Sequence, residues 1–108
     1  MEEMKCKVFV FDSDLSLNRI EKKLKQLIKM YNKLFGLKKE YKKILLHMEE
    51  VNETNSDDLF KCIKNSGDNI PIENLYGKKT IYLLNMRYTP TCLFDIICEL
   101  FNAKCYDF

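Results

Sequence analysis

Apolar residues change their spacing seven times along the chain, and each change marks an element. "KCKVFVF" (5–11) is a short β-branched and aromatic run, which predicts a buried strand. From Leu17 the spacing becomes helical. Leu17, Ile20, Leu24, Leu27, Ile28, Tyr31, Leu34 and Phe35 form one stripe, lysines and glutamates fill the other face, and Gly36 ends the repeat. "YKKILLHME" (41–49) reads as a second strand. "NSDDLFKCIKNSG" (55–67) offers a cap at Asn55 or Ser56, acids in the first turn, an apolar stripe at Leu59, Phe60 and Ile63, and a terminal Gly67. A connector follows (68–77), with a helical turn after Pro71. "KKTIYLLN" (78–85) is the third strand, "TPTCLFDIICELFN" (89–102) a helix with Thr89 as N-cap and Pro90 at its first position, and "AKCYDF" (103–108) a final strand.

The resulting order is βαβαβαβ. Such alternation predicts a single Rossmann-like α/β domain over residues 1–108, with a mainly parallel four-stranded sheet and helices on both faces, because parallel neighbours need crossovers. Right-handed crossovers leave few topologies, of which strand order 2-1-3-4 is favoured.

Composition agrees with one globular domain. Of the 108 residues, 46% are hydrophobic and 31% charged. At this length a core buries roughly 65% of the unfolded chain's surface. The net charge of +2 does not suggest duplex nucleic-acid binding, and only two of the eighteen basic residues are arginines, Arg19 and Arg87. The lysine-rich face over 22–43 reads as a solvated helix face. No run spans a bilayer and the first residues are not a signal peptide, so a cytoplasmic protein with no membrane association is expected. Cys6, Cys62, Cys92, Cys98 and Cys105 lack CxxC spacing and, with His47 alone, make no zinc set. They read as reduced thiols, and His47 as a structural residue of the second strand. No metal and no cofactor are implied.

In an open parallel sheet of order 2-1-3-4, a ligand binds beyond the carboxyl ends of strands one and three. The loops there are "DSDLS" (12–16) and "NMRYTPT" (85–91). Thr89 and Pro90 start a helix whose first amides lack intrahelical partners, and Arg87 precedes it. Tyr88 offers a ring for a base and Thr91 a hydroxyl. Together they suit an anionic nucleotide. The alternative is a plain helix start, with Arg87 paired to Asp12 or Asp14.

Two resemblances sharpen the choice. "VFVFDSDLSL" resembles the first motif of haloacid dehalogenase-like phosphatases, which would make Asp12 a nucleophile and Asp14 a general acid, with Mg²⁺ beside them. Strand three, however, ends in Asn85, and no later strand supplies the metal-completing acids. Asp14 or Ser16 as a helix cap is the other reading. More of the chain, above all "TIYLLNMRYTPTCLFDIICELFNAKCYDF" and "DSDLSLNRIEKKLKQLI", resembles in layout the small stand-alone CRISPR accessory proteins that bind cyclic oligoadenylate. That likeness implies a homodimeric sponge rather than an enzyme, with a two-fold symmetric ligand held by Ser13, Arg87, Tyr88, Thr89 and Thr91. A reduced phosphohydrolase, a ring nuclease and a protein-interaction module without ligand remain the alternatives.

Overall fold

The computed structural model of the chain describes residues 6–35, 46–84 and 91–108. In "KVFVF" every side chain after Lys7 is buried, because strand β1 (Lys7–Phe11) lies in the middle of a sheet covered on both faces. Phe9 and Phe11 point to one face, Val8 and Val10 to the other. The chain then turns at Ser13, whose Oγ accepts the Leu15 N–H (3.1 Å). Helix α1 (Leu17–Phe35) follows. Its N-cap is Ser16: the carbonyl takes the Ile20 amide (3.1 Å) and the hydroxyl takes that of Arg19 (3.4 Å). Asp14 is therefore not the cap.

Strand β2 (Leu46–Glu50) leads into helix α2 (Ser56–Asn65) through a tight turn. There the Asn52 and Asn55 side chains bond to each other's backbone amides. Helix α2 ends at Gly67 (φ +90°), with the Asp68 amide reaching back to the Ile63 carbonyl (3.3 Å), a Schellman closure. A 3-10 turn (Ile72–Leu75), strand β3 (Lys79–Leu83), helix α3 (Thr91–Phe101) and strand β4 (Lys104–Asp107) complete the order. Asn102, in the left-handed region at φ +49°, closes α3 as Gly67 closes α2, with the Ala103 amide on the Cys98 carbonyl (2.9 Å).

The four strands are all antiparallel to their neighbours, in the order β2-β3-β1-β4. This corrects the expected parallel, Rossmann-like sheet of order 2-1-3-4. The physical reason lies in residues 52–77, which are not a crossover. Val51 donates to the Lys78 carbonyl (2.8 Å) and accepts from the Gly77 amide (2.9 Å), so the excursion through α2 and the 3-10 turn starts and ends at the same edge of the sheet. Two residues opposite one, with the first a glycine at φ +85°, form a G1 bulge. Strand β3 must then run back along β2. Helices α1 and α3 do link parallel strands, but β3 fills the place between β1 and β2, and β1 the place between β3 and β4. Two interleaved split β-α-β units of the ferredoxin-like kind result.

Helices α1 and α3 pack Ile20, Leu24, Leu93, Phe94 and Ile97 on Phe9, Phe11, Ile81 and Leu83. Helix α2 and the 3-10 turn pack Leu59, Cys62, Ile63 and Leu75 on Val8, Val10 and Tyr106 across the other face. This second layer is smaller and covers only part of the sheet.

Candidate functional site

The reversal of β3 puts the carboxyl ends of β1 and β3 at opposite ends of the sheet. In the β1–β3 ladder Phe11 pairs with Lys79 and Lys7 with Leu83. The carboxyl end of β3 thus lies beside the amino end of β1, four residue steps or about 13 Å from Phe11 along the strand. A crevice between residues 12–16 and 85–91 needs parallel strands, and its geometric basis is gone. Arg87, Tyr88 and Thr89 lie outside the described residues. Thr91 is the first residue of α3, and its side chain is likewise not described.

At the other end, Asp12 and Asp14 are exposed and Ser13 is half-buried. Asp12 forms an ion pair with Lys78 (2.9 Å), which antiparallel pairing delivers to the end of β1. Ser13 and Ser16 are engaged in starting α1. Among the described residues no three His, Cys, Asp or Glu side chains converge to hold a metal ion. Burial pushes the thiols of Cys6, Cys62 and Cys98 up, and that of Cys105 to about 11, which leaves them weak nucleophiles at neutral pH.

The register instead assembles a feature that spacing did not reveal. His47, Tyr82, Val8 and Tyr106 form one row across all four strands on the face that α2 covers. Helix α2 sits over Val8 and Tyr106, Tyr82 packs half-buried against the margin of that cluster, and His47 beyond it is exposed. There the His47 and Tyr82 rings lie 6.0 Å apart, centre to centre. Phe108 meets Tyr82 edge-on at 5.7 Å and 76°, held by its own amide on the Cys6 carbonyl (2.8 Å). Phe108 is 49% exposed and the His47 side chain 55%. His47 Nε2 is 2.7 Å from Glu49 Oε1, which fixes the ring's orientation. Tyr82 is half-buried, and that burial, more than the neighbouring Glu49, raises its phenol pKa, so Tyr82 is neutral at physiological pH.

The rings are tilted to one another, so the exposed aromatic surface lies at His47 and at Phe108 on either side of half-buried Tyr82, with one polar edge at His47. Spacing alone marks His47 as no more than a structural residue of its strand. The period-two pattern of "TIYLL" does mark Tyr82 as facing away from Ile81 and Leu83, but only the pairing of distant strands brings His47 and Phe108 to it. Beside this row, on the far side of β2, a groove of about 350 Å³ runs between α1 and the edge strand, lined by Leu17, Glu21, Lys25, Leu46, His47 and Met48.

The chain matches no family model, no curated protein and no solved structure. Among the described residues no helix is long and apolar enough to cross a membrane.

Proposed function

We propose that this protein binds a nucleotide by stacking its base on the His47–Tyr82–Phe108 surface. The observation that supports this is the cluster of three neighbouring rings at the margin of the α2 layer, with His47 and Phe108 both about half exposed. Sheets that take unpaired bases use aromatic side chains in this way, and every base has a π-face. Glu49 holds His47 so that its other ring nitrogen can bond to a base edge. The reading keeps the ligand class expected from the sequence and moves the site. The likeness to cyclic oligoadenylate-binding proteins was one of layout, and an antiparallel sheet removes the parallel-strand crevice on which its ligand placement stood. Cyclic oligoadenylates are therefore probes alongside others.

The test is calorimetric titration of the protein with adenosine and guanosine monophosphates, ATP and cyclic oligoadenylates, with recovered ligand analysed for cleavage. Base–aromatic stacking is worth about 1–3 kcal/mol per base, so Phe108→Ala is expected to weaken binding roughly 5- to 150-fold. Phe108 is exposed, so the fold is retained. Binding that is unchanged in Phe108→Ala and His47→Ala, or absent for every nucleotide, overturns the reading.

A further inference from the structure

The sheet has two edges, β2 and β4. At β4 the outward carbonyl of Asp107 accepts the Cys62 thiol from α2 (2.8 Å). At β2 no described residue pairs on the outer side. The G1 bulge sets the hydrogen-bond phase of this strand. Val51 bonds to β3, so by alternation Glu49 and His47 also exchange bonds with β3, while Glu50, Met48 and Leu46 direct their backbone N–H and C=O groups outward. The Glu50 carbonyl already shows this direction, taking the Asn55 side-chain amide (3.0 Å) rather than β3.

An edge strand with outward-facing donors and acceptors is a template for another strand. Here the side chains say which one. We propose that β2 pairs antiparallel with β2 of a second copy of this chain, about a two-fold axis at Met48, so that two four-stranded sheets become one of eight. In this register Met48 faces the partner's Met48 as a hydrogen-bonded pair. Leu46 stands opposite the partner's Glu50, whose N–H donates to the Leu46 carbonyl while its own carbonyl keeps the Asn55 amide, and His47 stands directly opposite the partner's Glu49 in the closer, non-hydrogen-bonded position. The pair already made within the strand, His47 with Glu49 at 2.7 Å, becomes an alternating cluster of two imidazoles and two carboxylates. Centring the axis on Glu50 instead would set the two Glu50 carboxylates against each other, and centring it on Leu46 would pair only part of Leu46–Glu50, so Met48, at the middle of the strand, gives the fullest pairing.

The helix layer fits the same axis. Glu21 and Lys25, paired at 3.0 Å, line the groove beside β2. The same axis runs the partner's α1 antiparallel to α1, which sets Glu21 toward the partner's Lys25 and Lys25 toward the partner's Glu21. The two grooves then face each other and close. A foreign strand would need the outward backbone groups alone. A second copy also satisfies His47, Glu49, Glu21 and Lys25, and brings the two aromatic rows to either side of one axis. The pairing does not depend on a bound nucleotide.

Sedimentation equilibrium of the full chain over a dilution series is expected to show a monomer–dimer equilibrium. Met48→Pro removes an outward N–H without touching the β3 ladder, and should give a monomer with the wild-type circular dichroism spectrum. Glu49→Lys places a cation opposite the partner's His47 and should weaken the dimer about tenfold, and the double swap His47→Glu with Glu49→Lys should restore it. A monomeric wild type at all concentrations overturns the proposal, as does a dimer indifferent to Glu49→Lys or a double swap that fails to recover. Nucleotide stacking on a single protomer would survive any of these results, so the two readings fail separately.

Discussion

Gly77 offers the sharpest test of why the sheet is antiparallel. It holds φ +85° at the first position of the bulge, where its amide bonds to Val51. A Cβ built there meets no atom within 4 Å, so Gly77→Ala introduces no clash and its whole effect is conformational. Forcing an L-residue into the left-handed region costs about 1–2 kcal/mol. Stiffening the unfolded chain does not offset this where φ must stay positive, and a net loss of about 1 kcal/mol is the low end of the expectation. With an unfolding entropy of about 2.1 cal/mol/K per residue, that corresponds to a fall in Tm of about 4 °C for a chain of this length. Urea unfolding followed by circular dichroism, with an unchanged m-value, gives the free energy directly. Asn tolerates the left-handed region better than Ala, so Gly77→Asn should recover part of the loss. If Gly77→Ala were neutral or stabilising, the residue would be free to leave positive φ. The bulge that returns residues 52–77 to the same edge would not then be holding β3 against β2.

Two further expectations concern buried groups. Ser56 Oγ is fully buried and has no hydrogen-bond partner among the described residues, so Ser56→Ala, which removes an unsatisfied hydroxyl, should stabilise the protein by about 1 kcal/mol in the same urea assay. Burial raises the pKa values of Cys6, Cys62, Cys98 and Cys105 above their ordinary 9.0, and those of Tyr82 and Tyr106 above 10.0. Above pH 9 the unfolded chain therefore releases protons that the folded chain keeps, and stability falls as pH rises. For Cys105, up to about 11, the ceiling is roughly 3 kcal/mol, and partial exposure reduces it. Urea midpoints should be level below about pH 8 and decline steadily to about pH 10.5 under reducing conditions. A midpoint that rises over that interval would contradict the burial of these groups.

Much of the local structure was legible because it depends on neighbours in the chain. The stripe from Leu17 placed α1 at Leu17–Phe35, the Ser and Asn residues before the helical repeats marked their starts, and Gly67 marked the end of α2 where a left-handed residue was needed. The apolar runs of β1 and β3 announced strands buried on both faces. The direction of β3 was not legible in this way. A helix between two strands implies a crossover only if the segment leaves by one edge and returns by the other. That depends on Val51 meeting Gly77 and Lys78 across 26 intervening residues of excursion, a contact that spacing does not encode. The site followed the sheet: loops 12–16 and 85–91 share an end only if β1 and β3 are parallel, and they are not.

Periodicity, caps and turn residues thus determined by themselves the four strands and three α-helices of the described residues, since those preferences act within a few residues. Tertiary structure alone decided that His47, Tyr82 and Phe108 stand together and that, among the described residues, β2 is an edge strand whose Met48 backbone groups face outward. Both facts are consequences of register, and register is set by which strands pair and by the single extra residue at Gly77, whose effect reaches every position along β2.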